Sequence, residues 1–562
     1  MQVTQPSPLS SLILRAAVIV IISIIFTRLC VAESRKIGRL CTAPNYDDVA
    51  YFQEAAIMDQ SIKAEGIKGF WTFLNERGLH SPYSVFLAAA SFAVLGFRDA
   101  SPYYGDALLL AAYLFCIGWL FRRLPFWPWL AALILFLTPP FVTMGVVEFR
   151  PDIAWAVATG FGVVLIVTSE KLFRTPKRAA VAGAFLAAAL IIKPPTFAMT
   201  VVLFSGAILS QAVAAIREKG WRSDWRAALP GAGIFFLVVA VAAGPYWARF
   251  GRDTWTYFID TCFGKNKALW AFHGTWAEAW QYYITGQGGE TNLATPGSII
   301  LGLAAVCAIW LSVRRPDARW NLFALASLAS AALFINVVAQ NKSPYLGGGF
   351  YGILLFGSAY ILAEAYSSPQ PETSGGTGSF KLLRFELLYH YPPRAGAAKR
   401  VWRVGALALA ALICAFCYRW PLVSDWSTDV PRNKNLKAAD RFIKTLLDAH
   451  IAAPPKSVLL VQSGPIVMEN VGIWFSRHGL KSHLLTGIFF RTTEEFKSSY
   501  PTCDWVVLQE QQVMGSTFRL PVEAVLPEAT EIIKSDPLYS VLAEFADRNG
   551  RKVWIFGRRP ES

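Results

Sequence analysis

Four short stretches of this 562-residue chain place charged groups against apolar flanks, where charge is costly enough to mark function. The first is Asn45-Tyr46-Asp47-Asp48-Val49-Ala50-Tyr51-Phe52. Adjacent carboxylates beside an apolar face can supply a general base and an orienting group, or hold a hard divalent cation. Asp47 or Asp48 could equally N-cap the helix that follows. The second stretch is Glu148-Phe149-Arg150-Pro151-Asp152, a short turn between two apolar runs. Pro-Asp at a helix start is ordinary capping chemistry, but two acids and an arginine in one tight turn also suit an active site. The third is Lys193-Pro194-Pro195, which breaks a run apolar on both sides. Its lysine either snorkels to the surface or grips a phosphate as a point charge. The fourth is Asn341-Lys342-Ser343-Pro344-Tyr345-Leu346, followed by Gly347, Gly348 and Gly349. Lys342 and Tyr345 could meet a lipid headgroup, while the glycines allow close helix packing. His80 is a weaker fifth point, readable as a solvated loop residue.

Elements that would position these groups follow from hydropathy. The chain is 54% hydrophobic, 14% aromatic and only 16% charged, against roughly 25% charged in soluble domains. Apolar runs at 12–31, 105–121, 127–147, 152–169, 180–192, 196–214, 228–248, 296–313, 321–338, 347–365 and 404–421 read as eleven membrane spans by their length. The first lacks an A-x-A cleavage pattern and reads as an anchor. A further run, 82–97, is 16 residues long, and counting it as a span would reverse every later loop. The positive-inside rule decides against that. With eleven spans the inside loops hold 19 Lys and Arg, while the short outside loops hold only Arg150, Lys193 and Lys342. Residues 82–97 are therefore expected to lie as a helix in the outer interface. All four charged stretches then fall on the outer face, with the N-terminus inside and the C-terminus outside.

Three loops and a tail complete the expected organisation. The first outside loop, 32–104, contains a second amphipathic stretch from Val49 to Ala64. The outside loop 249–295 is dense in Trp, Tyr and Phe, suiting either an interface belt or a groove for a lipid or sugar. Residues 366–403 read as a cytoplasmic linker, with a flexible Ser/Gly/Pro-rich start. Residues 1–421 form the membrane module and 422–562 a periplasmic α/β domain. In that domain strands are expected at 457–462, 504–509 and 552–557, and helices at 434–450 and 538–547. The domain is nearly charge-balanced, with 17 basic and 16 acidic residues, so nearly all of the net +15 lies in the membrane module. That favours basic loops at anionic lipid over a nucleic-acid-binding face. Cys414 and Cys417 fall on one membrane helix. Cys41, Cys262 and Cys503 fall in outside regions, where a disulfide could form.

Taken together, the four stretches resemble the GT-C superfamily of membrane glycosyltransferases. The nearest branch contains protein O-mannosyltransferases, the aminoarabinose transferase acting on lipid A, and rhizobial lipopolysaccharide-core transferases. The resemblance covers roughly residues 12–365. It aligns Asp47-Asp48 with the family's acidic pair after the first span, and Asp152, then Glu148, with its acid in the second outer loop. Lys193 matches a lysine between two later spans, and Lys342 with Tyr345 a basic-plus-tyrosine element before a late span. The family commonly has Asp-Glu where this chain has Asp-Asp, and one branch has Lys where this chain has His80-Ser81-Pro82.

The resemblance implies a GT-C-like fold and an inverting hexosyl- or pentosyltransferase in the bacterial inner membrane. The sugar would pass from a polyprenyl-phosphate donor to a lipid, glycan or protein acceptor at the periplasmic face. Asp47, Asp48, Asp152 and Glu148 would be the catalytic acids, and Asp47 and Asp48 a candidate metal pair. Lys193, Lys342, Tyr345, Arg150 and His80 would contact the donor phosphate or lipid. Expected partners are the donor, its acceptor and membrane lipids, with no nucleic acid. A transporter or flippase of lipid-linked glycans is the alternative. It would also use intramembrane charge, but tends to be built from paired halves, and no internal repeat is visible. A non-enzymatic membrane scaffold accounts less well for acids clustered at one face.

Overall fold

A computed structural model describes residues 8–36, 47–76, 81–98, 100–169, 171–219, 225–264, 267, 272, 274–339, 341–366, 379–382, 385–388, 397–417, 455–461, 471–473, 475, 483–511, 521–546 and 551–559. Its helices begin with α1 (Pro8–Lys36), α2 (Asp47–Glu65), α3 (Ile67–Glu76), α4 (Pro82–Leu95), α5 (Ser101–Gly105), α6 (Ala107–Leu120), α7 (Phe126–Leu137), α8 (Pro140–Val147) and α9 (Pro151–Thr168). They continue with α10 (Pro176–Ile192), α11 (Phe197–Lys219), α12 (Leu229–Cys262), α13 (Trp276–Ile284), α14 (Gln287–Asn292), α15 (Ala294–Arg314), α16 (Arg319–Val338) and α17 (Gly348–Tyr366). A hairpin of β1 (Ser379–Leu382) and β2 (Phe385–Leu388) precedes α18 (Ala397–Phe416). The tail holds β3 (Ser457–Val461), β4 (His483–Thr486), α19 (Thr493–Ser499), β5 (Trp505–Gln509), α20 (Leu526–Ser535), β6 (Tyr539–Ala546) and β7 (Lys552–Arg558).

The chain divides into two compact units, one of residues 1–28, 80–83 and 106–421, the other of 29–79, 84–105 and 422–562. The first is a helix bundle centred on α9, whose residues are almost all buried. Helices α10, α11, α16 and α17 pack around it. Large apolar side chains on α1 and α12, such as Ile21, Ile25, Phe236, Leu237 and Val241, stay exposed, as expected for lipid-facing helices. Among the described residues, eight helices are long and apolar enough to cross a membrane. The count is nine if α7 and α8, bent by 65°, form one broken span. The bend falls at Pro139-Pro140, where two missing N–H groups interrupt the helical ladder.

This is fewer than the eleven spans read from sequence. Segments 180–192 and 404–421 are helical, but α10 has 17 residues, a rise of about 26 Å. The apolar part of α18 is only Leu407–Phe416. Both fall just outside the length and apolarity of the other spans among the described residues, although α10 is only one residue shorter than α9. Helix α4, with 14 residues, rises only about 21 Å, in keeping with the reading of 82–97 as a helix that does not span.

Glycines set the tightest packing. A Cβ on Gly352 of α17 would lie 2.4 Å from the Ala156 carbonyl oxygen, and one on Gly160 of α9 would lie 2.4 Å from the Gly352 backbone. The two backbones touch directly, so a single methyl must force them apart. Gly352→Ala is expected to destabilise the bundle by about 1–3 kcal/mol, read as a lower unfolding midpoint in detergent. An unchanged midpoint would mean the close approach is absent.

The second unit contains helices α2 and α3, with Phe52 edge-on to Phe92 and Tyr103 at 6.1 and 5.5 Å. Its sheet runs β4-β3-β5-β7-β6. Strand β3 is parallel to β4 and β5, while β7 is antiparallel to β5 and β6. Central β5 is buried along its whole length. Val506 and Leu508 meet one core with α19 and α20, and Trp505 and Val507 meet the other. The expected strands at 457–462, 504–509 and 552–557 are present. The helix expected at 538–547 is instead strand β6, because its backbone pairs with β7. A register shift between Val541 and Ala543 breaks the two-residue alternation that would have identified it. The expected helix at 434–450 lies outside the described residues. Among those described, Cys262, Cys414, Cys417 and Cys503 are free thiols, and Cys41 lies outside them.

Candidate functional site

Each charged stretch in the bundle sits at a helix end. The end of α9 that opens on Asp152, the end of α10 that closes before Lys193 and the loop joining α16 to α17 lie at the same end of the bundle. The clustered Arg122, Arg123, Arg315 and Glu364 mark the other. There Arg315 and Arg123 bind the Glu364 carboxylate at 2.7 and 3.8 Å.

The α8–α9 turn is built by prolines and one strained residue. Glu148 ends α8, and Phe149 takes φ 43°, a left-handed conformation costing about 1–3 kcal/mol for a bulky residue and characteristic of functional turns. Pro151, with its fixed φ, opens α9 and sets Asp152 in the first turn. The Lys193 turn is held by its neighbours. The Thr196 N–H and hydroxyl both donate to the Lys193 carbonyl, at 3.0 and 2.7 Å. Ser81 Oγ donates to the Ile192 carbonyl at 2.8 Å.

These turns bring together two pairs. Lys193 Nζ forms a salt bridge with Asp152 Oδ1, their side chains being only 11% and 3% exposed. Arg150 Nε binds Glu148 Oε2 at 3.1 Å, and the Arg150 guanidinium lies 3.8 Å over the Tyr345 ring. The stack joins the α8–α9 turn to the loop before α17. That loop is fixed in turn by Asn292 Nδ2, which donates to the Pro344 and Gly288 carbonyls at 3.0 and 2.8 Å. At its other side, Gly348 lies against the Asp152 carbonyl and the Trp155 ring, where a Cβ would come within 3.2 Å of each. Trp155 Nε1 donates to Thr200 Oγ1 at 2.8 Å, locking α9 to α11.

Lys342 is placed differently from its sequence reading as a headgroup contact. Its ammonium donates to the Asn336, Val337 and Ala339 carbonyls. That uses all three of its protons and satisfies the carbonyls left open at the end of α16. Burial pushes this ammonium down to about 8. The geometry makes Lys342 a helix cap that sets the path of the Tyr345 loop.

Asp47 and Asp48 open α2, but their side chains lie outside the described residues, as does His80. Among the described residues no cluster of three His, Cys, Asp or Glu could hold a metal ion. One acid was missed by the sequence reading. Asp106 precedes the apolar run of α6 and looks like a cap, yet it makes no capping bond to that helix and is buried. Burial and the Asp106 carboxylate hold the Tyr83 phenol well above its ordinary range. Only the buried position of Asp106 distinguishes it, and a lone Asp before an apolar run gives no hint of that.

No protein-family model matches the sequence, and no curated protein matches it significantly. Solved structures share its fold, two of them being of one protein. One is ArnT from Cupriavidus metallidurans bound to undecaprenyl phosphate, with TM-score 0.51 and 12% identity over 98% of both chains. The other is the same protein in the apo state, with TM-score 0.54 and 12% identity over 97% of this chain and 98% of that one. The chain thus has a GT-C-like fold, a polytopic helix bundle carrying a small C-terminal α/β domain.

Proposed function

We propose that this protein transfers a sugar from a polyprenyl-phosphate donor to a hydroxyl acceptor at the periplasmic face of a bacterial inner membrane. One observation carries the reading. At one end of a bundle that shares its fold with a protein crystallised with undecaprenyl phosphate, two largely buried cations, their side chains 17% and 11% exposed, are held ready for an anion. Lys193 is poised on Asp152, and Arg150 is pinned by Glu148 and stacked on Tyr345. A lipid-linked donor would enter from the bilayer, its phosphate meeting Lys193 and Arg150 and its sugar projecting outward. His80 would add a contact from the residue preceding the Ser81 anchor.

In the proposed reaction the acceptor oxygen attacks the anomeric carbon from the face opposite the phosphate, which inverts the configuration. Its proton passes to a carboxylate, assigned from sequence to Asp47 with Asp48 in support. The bond between the anomeric carbon and the phosphate oxygen breaks, and the electron pair leaves on the polyprenyl phosphate. Lys193 and Arg150 offset the charge that gathers there. Asp152 and Glu148 serve by aiming the two cations, since each has an oxygen already engaged. The residues 1–421 would be the catalytic module and 422–562 a periplasmic α/β domain.

Arginine is specified at position 150 by shape as well as charge. Lysine cannot stack flat on Tyr345, and it would meet Glu148 only as a point charge. Arg150→Lys should weaken undecaprenyl phosphate binding by roughly 2- to 30-fold, the range of a cation–π contact of about 0.5–2 kcal/mol. Tyr345→Phe, which keeps the ring, should bind nearly as the natural protein does. Equal affinities for Arg150→Lys and the natural protein would remove Arg150 from the donor site. The reading as a whole is tested by titrating the purified protein in nanodiscs with undecaprenyl phosphate. Saturable binding is expected, and its absence would overturn the reading.

A further inference from the structure

Beside the Lys193 turn the structure holds a set of aromatic rings that the phosphate site does not use. Phe197 opens α11 four residues after Lys193. Its ring lies 5.3 Å from Trp247, 5.6 Å from Trp255 and 5.3 Å from Phe258, all on α12. Helix α12 also packs on the 194–196 turn itself, so the rings and the lysine share one piece of scaffold.

Helix length puts these rings at and above the membrane surface. α12 has 34 residues, a rise of about 51 Å, against the roughly 30 Å of hydrocarbon. Its first stretch, Leu229 to Ala248, carries no charge, whereas Arg249, Arg252, Asp253 and Asp260 follow. Charged residues mark where the helix leaves the hydrocarbon. Trp247 stands at that boundary and Trp255 and Phe258 beyond it. Trp255 is 53% exposed, so one side of the set is open. The Trp247 Nε1 proton is buried and has no hydrogen-bond partner among the described residues, which leaves an indole donor unspent beneath the rings.

We propose that Phe197, Trp247, Trp255 and Phe258 form a stacking subsite for the sugar ring of the lipid-linked donor. The proposal rests on the donor reading above. A pyranose or furanose presents a face of polarised C–H bonds, and the negative face of an aromatic ring attracts them. In the donor the sugar is bonded directly to the phosphate, so a phosphate at Lys193 carries its sugar to the neighbouring surface. Stacking holds one face of the ring and leaves the anomeric carbon open to the acceptor. It also tolerates different hydroxyl patterns, because every sugar ring has a C–H face.

The test compares two probes on the full chain in nanodiscs. These are undecaprenyl phosphate, and undecaprenyl phosphate bearing glucose, mannose, galactose or aminoarabinose. The natural protein should bind at least one sugar-bearing lipid more tightly than the bare lipid. Trp255→Ala should remove about two- to tenfold of that added affinity while leaving bare-lipid affinity unchanged, and Trp255→Phe should restore most of it. Exposure of Trp255 makes the variant compatible with folding, and its unchanged bare-lipid binding serves as the check. Equal binding of bare and sugar-bearing lipids overturns the subsite while sparing the donor reading. So does a Trp255→Ala protein that keeps the full sugar preference, which would leave the rings as a membrane-interface belt. Failure of the natural protein to bind either lipid overturns the donor reading itself.

Discussion

Replacing Lys193 by Gln should cost roughly 30- to 5,000-fold in undecaprenyl phosphate affinity, the range expected when one partner of a buried charge pair is truncated. The loss has two sources. Lys193 no longer meets the phosphate, and Asp152, only 3% exposed, is left as an anion facing it. The second source also destabilises the fold, by about 3–5 kcal/mol for an uncompensated buried charge. A paired variant separates them. In Lys193→Gln with Asp152→Asn the buried charge is gone, so stability should return towards that of the natural protein while phosphate affinity stays low. If the paired variant binds undecaprenyl phosphate as well as the natural protein does, Lys193 is a structural partner of Asp152 and not a phosphate ligand.

The largest effect on turnover is expected at Asp47. A hydroxyl is a poor nucleophile until its proton is removed as the new bond forms, and a positioned carboxylate supplies about 10²- to 10⁴-fold. Asp47→Asn discriminates between catalysis and capping. Asn caps a helix about as well as Asp, and losing a cap altogether costs only about 0.5–2 kcal/mol, but Asn cannot take the proton. The variant should fold, insert in the membrane, bind undecaprenyl phosphate and turn over at least a hundredfold more slowly. Natural turnover in Asp47→Asn would leave Asp47 as the cap of α2 and return the base to the Glu148–Asp152 turn.

Much of the bundle was legible because long apolar runs admit few structures in a membrane. Helices α9 and α17 match their runs to within a few residues, and Pro151 marks the start of α9 as a proline at the first helical position should. The span count was less legible. Apolar character alone does not measure length: α10 is one residue shorter than α9, and the 20-residue α18 has an apolar part of only Leu407–Phe416. Strand β6 was misread because the bulge at Val541 and Ala543 scrambles its alternation. Long-range pairing decided it, and long-range pairing is what local pattern does not carry.

The site was legible as a set of residues and illegible as a set of partners. Asp152 and Lys193 could each be singled out as a charge beside apolar sequence. That they neutralise each other follows only from the packing of α10 on α9. The Arg150–Tyr345 stack joins two loops far apart in the chain, with nothing in either to announce the other. Lys342 shows the reverse. Its place beside Tyr345 before a late span was read as a headgroup contact, whereas the end of a helix supplies carbonyls that capture a nearby ammonium. The aromatic loop was visible as composition, but only the folded α12 brings Trp247, Trp255 and Phe258 onto Phe197.

Sugar transfer itself is tested most directly by mass spectrometry of the lipids and surface glycans of cells with and without this protein. The account predicts that one sugar disappears from one envelope acceptor, that the polyprenyl-phosphate form of that sugar accumulates, and that Asp47→Asn reproduces both changes. Every acceptor keeping its full complement of sugars, or a whole lipid-linked glycan failing to reach the surface as loss of a flippase would produce, would contradict it.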